Sequence, residues 1–401
     1  MKRIYFACLL ALLTISVIGQ SPELYSATKK DSAQKKSKYK FLSIKYQAGT
    51  VLQTNAFLEG DNKAGKPIDY YQSLALQYGR QTDGSKEWEH VFNFPFFGVG
   101  FYTANFFNID ELGHPMALYG FLGLPVKRWQ RSSLGYKLGF GLTYNWEPYD
   151  TYENPFNVAI GSYRTVYIDA SIYYQYQLGK RWDLNAGFGF THFSNGGTKK
   201  PNSGINLVSP FVELKYNLKD RPLLVRKIVD PYKQHHELSF NLGLSGRQIV
   251  YDVNENEGLD DKYQDVTYTV VNISAAYLKQ TTWKNKFGGG IDLTYDESID
   301  AQIDINDGKI EKVPAVSFGE KMSMGVFGTY EFCVDQLSVA SYLGAYVFRK
   351  KIDDPDPILY QKFGVKYHFK SDLYAGVLVR AHNFSVADFI EWHVGYRIKW
   401  D

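Results

Sequence analysis

Cysteine is almost absent from this chain, and long apolar runs are confined to its first residues. Only Cys333 lies outside the N-terminal apolar stretch, which excludes an intrachain disulfide framework and a cysteine metal cluster. Beyond residue 19 there is no run of 18 apolar residues, so no helix is expected to span a bilayer. The formal net charge of +3 is too small to favour a nucleic-acid partner.

The first 19 residues have the pattern of an export signal. Lys2 and Arg3 provide a basic start, residues 5–18 are apolar, and small residues follow at the cleavage position. We therefore expect the mature protein to begin near Gln20. Residues 20–39 are polar and rich in lysine, and they are predicted to form a flexible periplasmic lead-in.

Aromatic residues and glycine are abundant instead. The chain has 32 Tyr, 27 Phe and 35 Gly, and aromatic residues make up 16% of it. An exported chain without a helical span, but with short alternating strands rich in aromatics and glycine, is typical of an outer-membrane β-barrel. A secreted soluble β-sandwich or solenoid is the alternative fold. The expected location is the outer membrane of a Gram-negative bacterium.

Alternation and turn residues predict about sixteen antiparallel strands. The predicted spans are 40–50, 67–80, 87–104, 114–127, 133–146, 161–178, 181–195, 203–218, 236–250, 265–280, 284–297, 317–333, 336–349, 358–370, 372–384 and 388–400. Connections after even-numbered strands are mostly short, and those after odd-numbered strands are mostly long and polar. Short periplasmic turns and longer outer loops are the pattern of a bacterial transmembrane barrel.

One connection, 219–235, is long although it falls on the periplasmic side. We favour one transmembrane barrel of about sixteen strands, with residues 40–218 and 236–401 as its two halves and 219–235 as a long turn. The alternative is two tandem barrels of eight strands, for which 219–235 would be the linker.

His192 and Ser194 are the residues that point to a function. They lie two positions apart at the end of a predicted strand, so their side chains share one face. The other residues of that parity are apolar, namely Trp182, Leu184, Ala186, Phe188 and Phe190. Two polar side chains at the rim of an apolar face cost free energy unless they serve a function or form hydrogen bonds. The pattern therefore favours a serine hydrolase site on the outside of a membrane barrel, facing lipid.

The following strand supplies a third group. A symmetric hairpin between 181–195 and 203–218 places Asn206 opposite His192, where the two side chains can touch. A serine needs a neighbouring base to take its proton, and a third group can hold the imidazole in the useful tautomer. Donors to the oxyanion that forms on the ester are expected from Asn195, Asn202 and the Gly196-Gly197 backbone.

Two segments resemble a known family. Residues 192–197 have the sequence HFSNGG, and residues 200–206 have the sequence KPNSGIN. Together they resemble the signature of the outer-membrane lipid A deacylases, the PagL-like acyloxyacyl hydrolases, and Phe97-Gly98-Val99-Gly100 is similar to an upstream segment of that family. The resemblance implies a barrel that removes an ester-linked acyl chain from lipopolysaccharide in the outer leaflet. His192 would be the base and Ser194 the nucleophile, with Asn195 and Asn202 in supporting roles.

The chain departs from that family at two points. Where the family has an acidic third member, a glutamate, this chain has Asn206, which can orient an imidazole but cannot stabilise the imidazolium by charge. The resemblance covers residues 40–218, whereas the family is typically a single eight-strand barrel.

The predicted function is hydrolysis of a fatty-acyl ester of lipid A, with outer-membrane lipids around the protein and with no cofactor or metal. The oligomeric state is left open. The rival class is a non-enzymatic channel or structural barrel. The sequence around His382 is weakly similar to that around His192. Residue 384 is Phe where a serine is needed, so no second site is predicted. A decayed duplication is the alternative explanation of this similarity.

Overall fold

A computed structural model describes residues 39–249, 263, 265–306, 316–352, 357–384 and 386–401. The predicted export signal and residues 20–38 of the predicted lead-in lie outside this part of the chain. In the part that is described, no helix has the length and apolar content needed to cross a membrane.

Sixteen strands form the framework. Their bounds are β1 Tyr39–Val51, β2 Tyr70–Gln81, β3 Phe96–Asn105, β4 Gly113–Arg128, β5 Ser132–Trp146, β6 Val166–Gln177, β7 Trp182–Ser194, β8 Ile205–Asn217, β9 His235–Arg247, β10 Tyr268–Gln280, β11 Asn285–Asp296, β12 Met322–Val334, β13 Leu337–Phe348, β14 Leu359–His368, β15 Leu373–His382 and β16 Val386–Trp400. All neighbouring strands are antiparallel. The prediction of an all-β fold with about sixteen strands is confirmed.

The strands close into two barrels of eight, β1–β8 and β9–β16. The first barrel closes where β1 pairs with β8, and the second where β16 pairs with β9. Of the two predicted arrangements, the structure therefore has the two tandem barrels and not the single barrel of sixteen strands. The physical reason is that each set of eight satisfies its own edges by closing on itself.

The chain groups into two compact units. One contains the described residues up to Ser194 together with Ser203–Asp230, and the other contains Asn195–Asn202 together with Pro231–Asp401. In each barrel we call the end at which odd-numbered strands finish the upper rim, and the opposite end the lower rim.

The outer surface of each barrel is apolar and the lumen is polar. In β1, Leu42, Ile44 and Tyr46 are exposed, whereas Ser43 and Lys45 between them are buried. Strand β16 repeats this pattern, with exposed residues at 392, 394, 396 and 398 and buried residues at 391, 393 and 397. This alternation is the reverse of that in a soluble barrel, and it is the pattern of strands that face lipid.

Ion pairs and aromatic rings fill the lumen of the first barrel. Lys137 Nζ lies 2.6 Å from Glu213 Oε2, and Lys45 Nζ lies 3.4 Å from Asp169 Oδ2, with all four side chains buried. Buried aromatic side chains form one cluster in this barrel; they include Phe41, Tyr71, Tyr102, Tyr119, Phe121, Tyr167, Tyr173 and Phe211. An eight-strand barrel is just wide enough for side chains to fill it, as they do here.

The lumen of the second barrel carries its own buried charge network. Lys286 Nζ lies 3.2 Å from Glu237 Oε2 and 3.3 Å from Glu331 Oε2, and Lys366 Nζ lies 2.5 Å from Glu331 Oε1. Higher in the lumen, Lys362 bonds to carboxylates of β11 and β16. Each of these lysines and carboxylates therefore has a partner of opposite sign within contact distance.

Short helices lie in the connections. They are α1 Ala56–Glu59, α2 Glu87–Val91, α3 Ile109–Leu112 and α4 Ile299–Asn306, with a 3-10 turn at Phe318–Lys321. The predicted strand 87–104 was wrong over its first nine residues, because α2 is followed by Asn93 and Phe94 with φ of 56° and 59°. Left-handed residues of this kind interrupt a strand, and β3 begins only at Phe96.

The buried pair of Lys137 and Glu213 yields a stability prediction. Lys137→Ala leaves the Glu213 carboxylate buried without its closest cation, so the free energy of unfolding should fall by about 3–5 kcal/mol. Urea titration in nonionic detergent, followed by heat-modifiable gel mobility, measures this. Arg181→Ala is the matched control, because its pair with Asp220 is exposed at both side chains; it should leave stability nearly unchanged. Equal losses in the two variants would contradict the prediction.

Candidate active site

Strand β7 presents His192 and Ser194 on the outer surface of the first barrel. Trp182 and Phe188, which share their parity, are 44% and 68% exposed, whereas Asp183 on the alternate parity is 1% exposed and faces the lumen. His192 and Ser194 are half-buried at the upper end of the strand. The predicted parity is therefore present, and both polar side chains lie on the face that carries the apolar residues of β7.

The register of β7 and β8 places His192 directly opposite Asn206. The His192 Nδ1 atom lies 2.7 Å from Asn206 Oδ1. Because a carbonyl oxygen can only accept, this bond requires the proton to be on Nδ1. The Nε2 atom of the neutral ring then keeps its lone pair, which is the form that can take a proton from a hydroxyl.

Gly204, at the start of β8, borders both side chains. A Cβ atom added to it would lie 3.2 Å from His192 Cε1 and 3.6 Å from Ser194 Cβ. It would also lie 3.0 Å from the carbonyl oxygen of Phe193, and φ of Gly204 is +73°. Only glycine adopts this conformation readily while leaving the space open. His192 and Ser194 therefore border one small volume, which Gly204 keeps free.

The loop between β5 and β6 holds the start of β8 in place. Ser203 N donates to Val158 O at 3.0 Å, and Gly204 N donates to Ala159 O at 2.9 Å. The Asn157 side chain braces this loop by donating to the carbonyls of Glu111 and Glu147. The sequence indicated only an ordinary polar outer loop here, and no role was predicted for this loop or for Gly204. The apolar triplet 158–160 within an otherwise polar loop was the signal that it packs against the barrel.

The segment Asn195–Asn202 belongs to the second compact unit, and its internal bonds shape the loop. Asn195 N donates to Asn202 Oδ1 at 3.2 Å, and Gly197 N donates to Asn195 Oδ1 at 2.9 Å. The Asn195 Nδ2 group donates to Lys199 O at 2.7 Å. These bonds give all three predicted supporting residues a part in the loop's conformation. Their part in binding an oxyanion stays a prediction.

His382 does not repeat the arrangement of His192. It ends β15 on the same parity as buried Arg380, so it faces the lumen of the second barrel, and its Nε2 lies 3.0 Å from Tyr346 Oη. Within the described ranges, no group of three or more His, Cys, Asp or Glu side chains is placed to hold a metal ion.

Two family models match the chain, one for each barrel. The model described as "Lipid A 3-O-deacylase (PagL)" matches residues 72–215, and the model described as "Acyloxyacyl hydrolase, C-terminal domain" matches residues 236–400. The chain belongs to the PagL-like family of acyloxyacyl hydrolases. The resemblance noted in the sequence is thereby confirmed, and it extends to the second barrel, which residues 192–206 alone did not indicate.

Three solved structures illustrate what the PagL-like chain is similar to. The structure titled "Crystal structure of the outer membrane enzyme PagL" is 16% identical, with 43% of this chain and 97% of that chain covered and a TM-score of 0.28. The Pseudomonas putida toluene transporter TodX is 8% identical over 91% of this chain and 89% of its own, with a TM-score of 0.17. A Rh. blastica porin mutant is 10% identical over 90% of this chain and 100% of its own, with a TM-score of 0.20. No curated protein is significantly similar to the chain.

The bond to Asn206 yields a prediction about the imidazole that is independent of activity. In protein labelled with ¹⁵N-histidine, the neutral His192 ring should carry its proton on Nδ1, because Asn206 Oδ1 accepts there. The isosteric change Asn206→Leu removes the acceptor and should abolish this preference. His382, which bonds to Tyr346, is the internal control, and its NMR signals should not change. A His192 tautomer that is the same in both proteins would contradict the assigned bond.

Proposed function

We propose that this PagL-like protein is an outer-membrane serine esterase that removes a fatty-acyl chain from lipid A in the outer leaflet. Ser194 is the nucleophile, His192 is the general base and acid, and Asn206 orients His192. Asn195, Gly197 and Asn202 are proposed to support the oxyanion. Lipopolysaccharide is the substrate, and the matched family description makes the 3-O-acyl ester the first position to examine.

One observation carries this proposal: the His192–Asn206 bond lies on the apolar outer face, two residues before Ser194. A protein that only spans the membrane gains nothing from a polar pair at this place, because burying polar groups against lipid is costly. A hydrolase that acts on a membrane lipid needs its base and nucleophile there. The acyl chain then reaches the serine without leaving the bilayer.

The reaction follows from the protonation state of His192. Its Nε2 takes the proton of the Ser194 hydroxyl while Oγ attacks the ester carbonyl, and the carbonyl oxygen becomes an oxyanion. The intermediate collapses, the sugar hydroxyl leaves with the proton returned from His192, and an acyl-serine forms. A water molecule, deprotonated by the same Nε2, then attacks the acyl-serine and releases the fatty acid and free Ser194.

The asparagine at position 206, in place of an acidic residue, affects the expected reaction rate. The bond from Nδ1 fixes the tautomer, as a carboxylate would. However, a neutral amide does not stabilise the positive charge that the imidazole gains when it accepts the serine proton. We therefore expect a slower chemical step than an acidic residue would give, with unchanged binding of the lipid.

The rival function of a channel has less support. In both barrels the described lumen residues include buried ion pairs that cross the interior. Barrels of eight strands have no room for a water-filled pore beside such side chains. No observation on the lumen favours conduction over a structural role.

The assignment of Ser194 and His192 is tested by fatty-acid release from purified lipopolysaccharide. Ser194→Ala and His192→Ala should each lower the rate by about 10³-fold or more, because nucleophile and base act as a unit. Ser132→Ala and His114→Ala are the matched controls. Ser132 lies at the lower rim and His114 at the upper rim of the same barrel, so neither change should affect the rate. Activity that persists in either site variant while gel mobility shows a folded barrel would overturn the assignment.

The role of Asn206 is tested by substitution in both directions. Asn206→Glu should raise kcat, because a carboxylate adds charge stabilisation of the imidazolium, and Asn206→Leu should lower kcat by about 10²–10⁴-fold. KM should change little in both cases, since the residue contacts His192 and not the acyl chain. Initial rates against lipid A concentration in mixed micelles separate the two constants. A change confined to KM would show that Asn206 binds substrate instead.

A further inference from the structure

A basic cavity opens at the upper rim of the second barrel. Its volume is about 360 Å³, and strands β9, β11, β12, β13, β15 and β16 contribute to its wall. Between residues 247 and 388, the lining carries five Lys or Arg side chains and three Asp or Glu side chains. The excess of cations favours an anionic ligand.

The three carboxylates of the lining already have cationic partners. Arg247 Nη1 lies 2.6 Å from Asp296 Oδ2, and Arg247 Nη2 lies 2.7 Å from Asp388 Oδ1. Lys350 Nζ lies 2.7 Å from Glu320 Oε1. The hydrogen bonds from Lys350 and from Ser317 lower the pKa of Glu320 to about 2, so this carboxylate is ionised at neutral pH. None of the three carboxylates is therefore available to neutralise another cation fully.

Arg380 is the most deeply buried cation of the lining, and it takes part in none of these pairs. It is 1% exposed, and its Nη1 donates to Thr294 Oγ1 at 3.0 Å. Its Nε and Nη2 atoms have no hydrogen-bond partner among the described residues, and no described carboxylate oxygen lies within 4.0 Å of the guanidinium. The guanidinium instead stacks on aromatic rings, with its Cζ 4.2 Å from the ring centroid of Tyr360 and 5.2 Å from that of Tyr346.

A buried guanidinium with two unsatisfied donors is costly unless a ligand completes it. The planar fork of arginine matches the geometry of a phosphate, and adjacent cations strengthen such binding. We infer that this cavity binds a terminal phosphate group, with Arg380 as its central contact. Tyr346 and Phe389 also line the cavity. This inference does not depend on the proposed deacylase activity.

The ligand class has two sources, a free phosphate or the phosphorylated sugar of a lipid headgroup. The test uses the full chain in nonionic detergent, which contains no phosphate, and titrates it with inorganic phosphate, glucose 1-phosphate or glucose by calorimetry. Wild-type protein should bind the two phosphates saturably and should not bind glucose. Tighter binding of glucose 1-phosphate supports the headgroup source, and equal binding supports free phosphate.

Arg380→Gln should weaken phosphate binding by about 10-fold or more, and Arg380→Lys should retain part of the affinity because it keeps the charge. Lys399→Gln is the control, since this lysine lies at the lower rim and pairs with Asp372. If Arg380→Gln fails to show the gel mobility of a folded barrel, Arg349→Gln at the same cavity replaces it, with the same expected weakening. Absence of saturable phosphate binding in the wild type, or unchanged binding in the folded cavity variants, would overturn the inference. Fatty-acid release plays no part in this assay, so its result is separate from that of the deacylase proposal.

Discussion

Closure of the hydrogen-bond ladder is the constraint on which the rest of this structure depends. Within a bilayer, backbone N–H and C=O groups have to bond to one another, so a sheet in lipid has to close. Here β1 closes on β8 and β9 closes on β16, which satisfies every strand edge within its own set of eight. Closure also fixes which side chains face lipid and which face the lumen. Lysine and glutamate pairs occupy the lumen, and leucine, isoleucine and aromatic residues cover the outside.

The candidate site is a consequence of this parity. A slip of one residue between β7 and β8 would turn His192 into the lumen and separate it from Asn206. The register instead brings them to a 2.7 Å bond on the outer surface. Gly204 and the packed loop 157–160 then fix the geometry around Ser194 from the side of β8. The chemistry therefore rests on strand pairing, with loops in a supporting role.

Much of this could be predicted from the sequence, because local periodicity determines it. The alternation along β7 and β16 predicted their lipid and lumen faces, and a symmetric hairpin was enough to pair His192 with Asn206. The number of barrels could not be predicted in this way, since eight plus eight strands and sixteen strands have the same local pattern. The helix at 87–91 and the role of Gly204 depend on backbone conformation and on a loop distant in sequence. Six strands contribute to the wall of the cavity around Arg380, so no short sequence motif predicts it.

We propose that the lipid-facing pair of Ser194 and His192 removes an acyl chain from lipid A. The most direct measurement is mass spectrometry of lipid A from bacteria that express the wild-type protein or Ser194→Ala at equal levels of folded barrel. Cells with the wild-type protein should contain lipid A that is lighter by one fatty-acyl chain, and cells with the variant should contain unaltered lipid A. Identical lipid A in the two strains would contradict it.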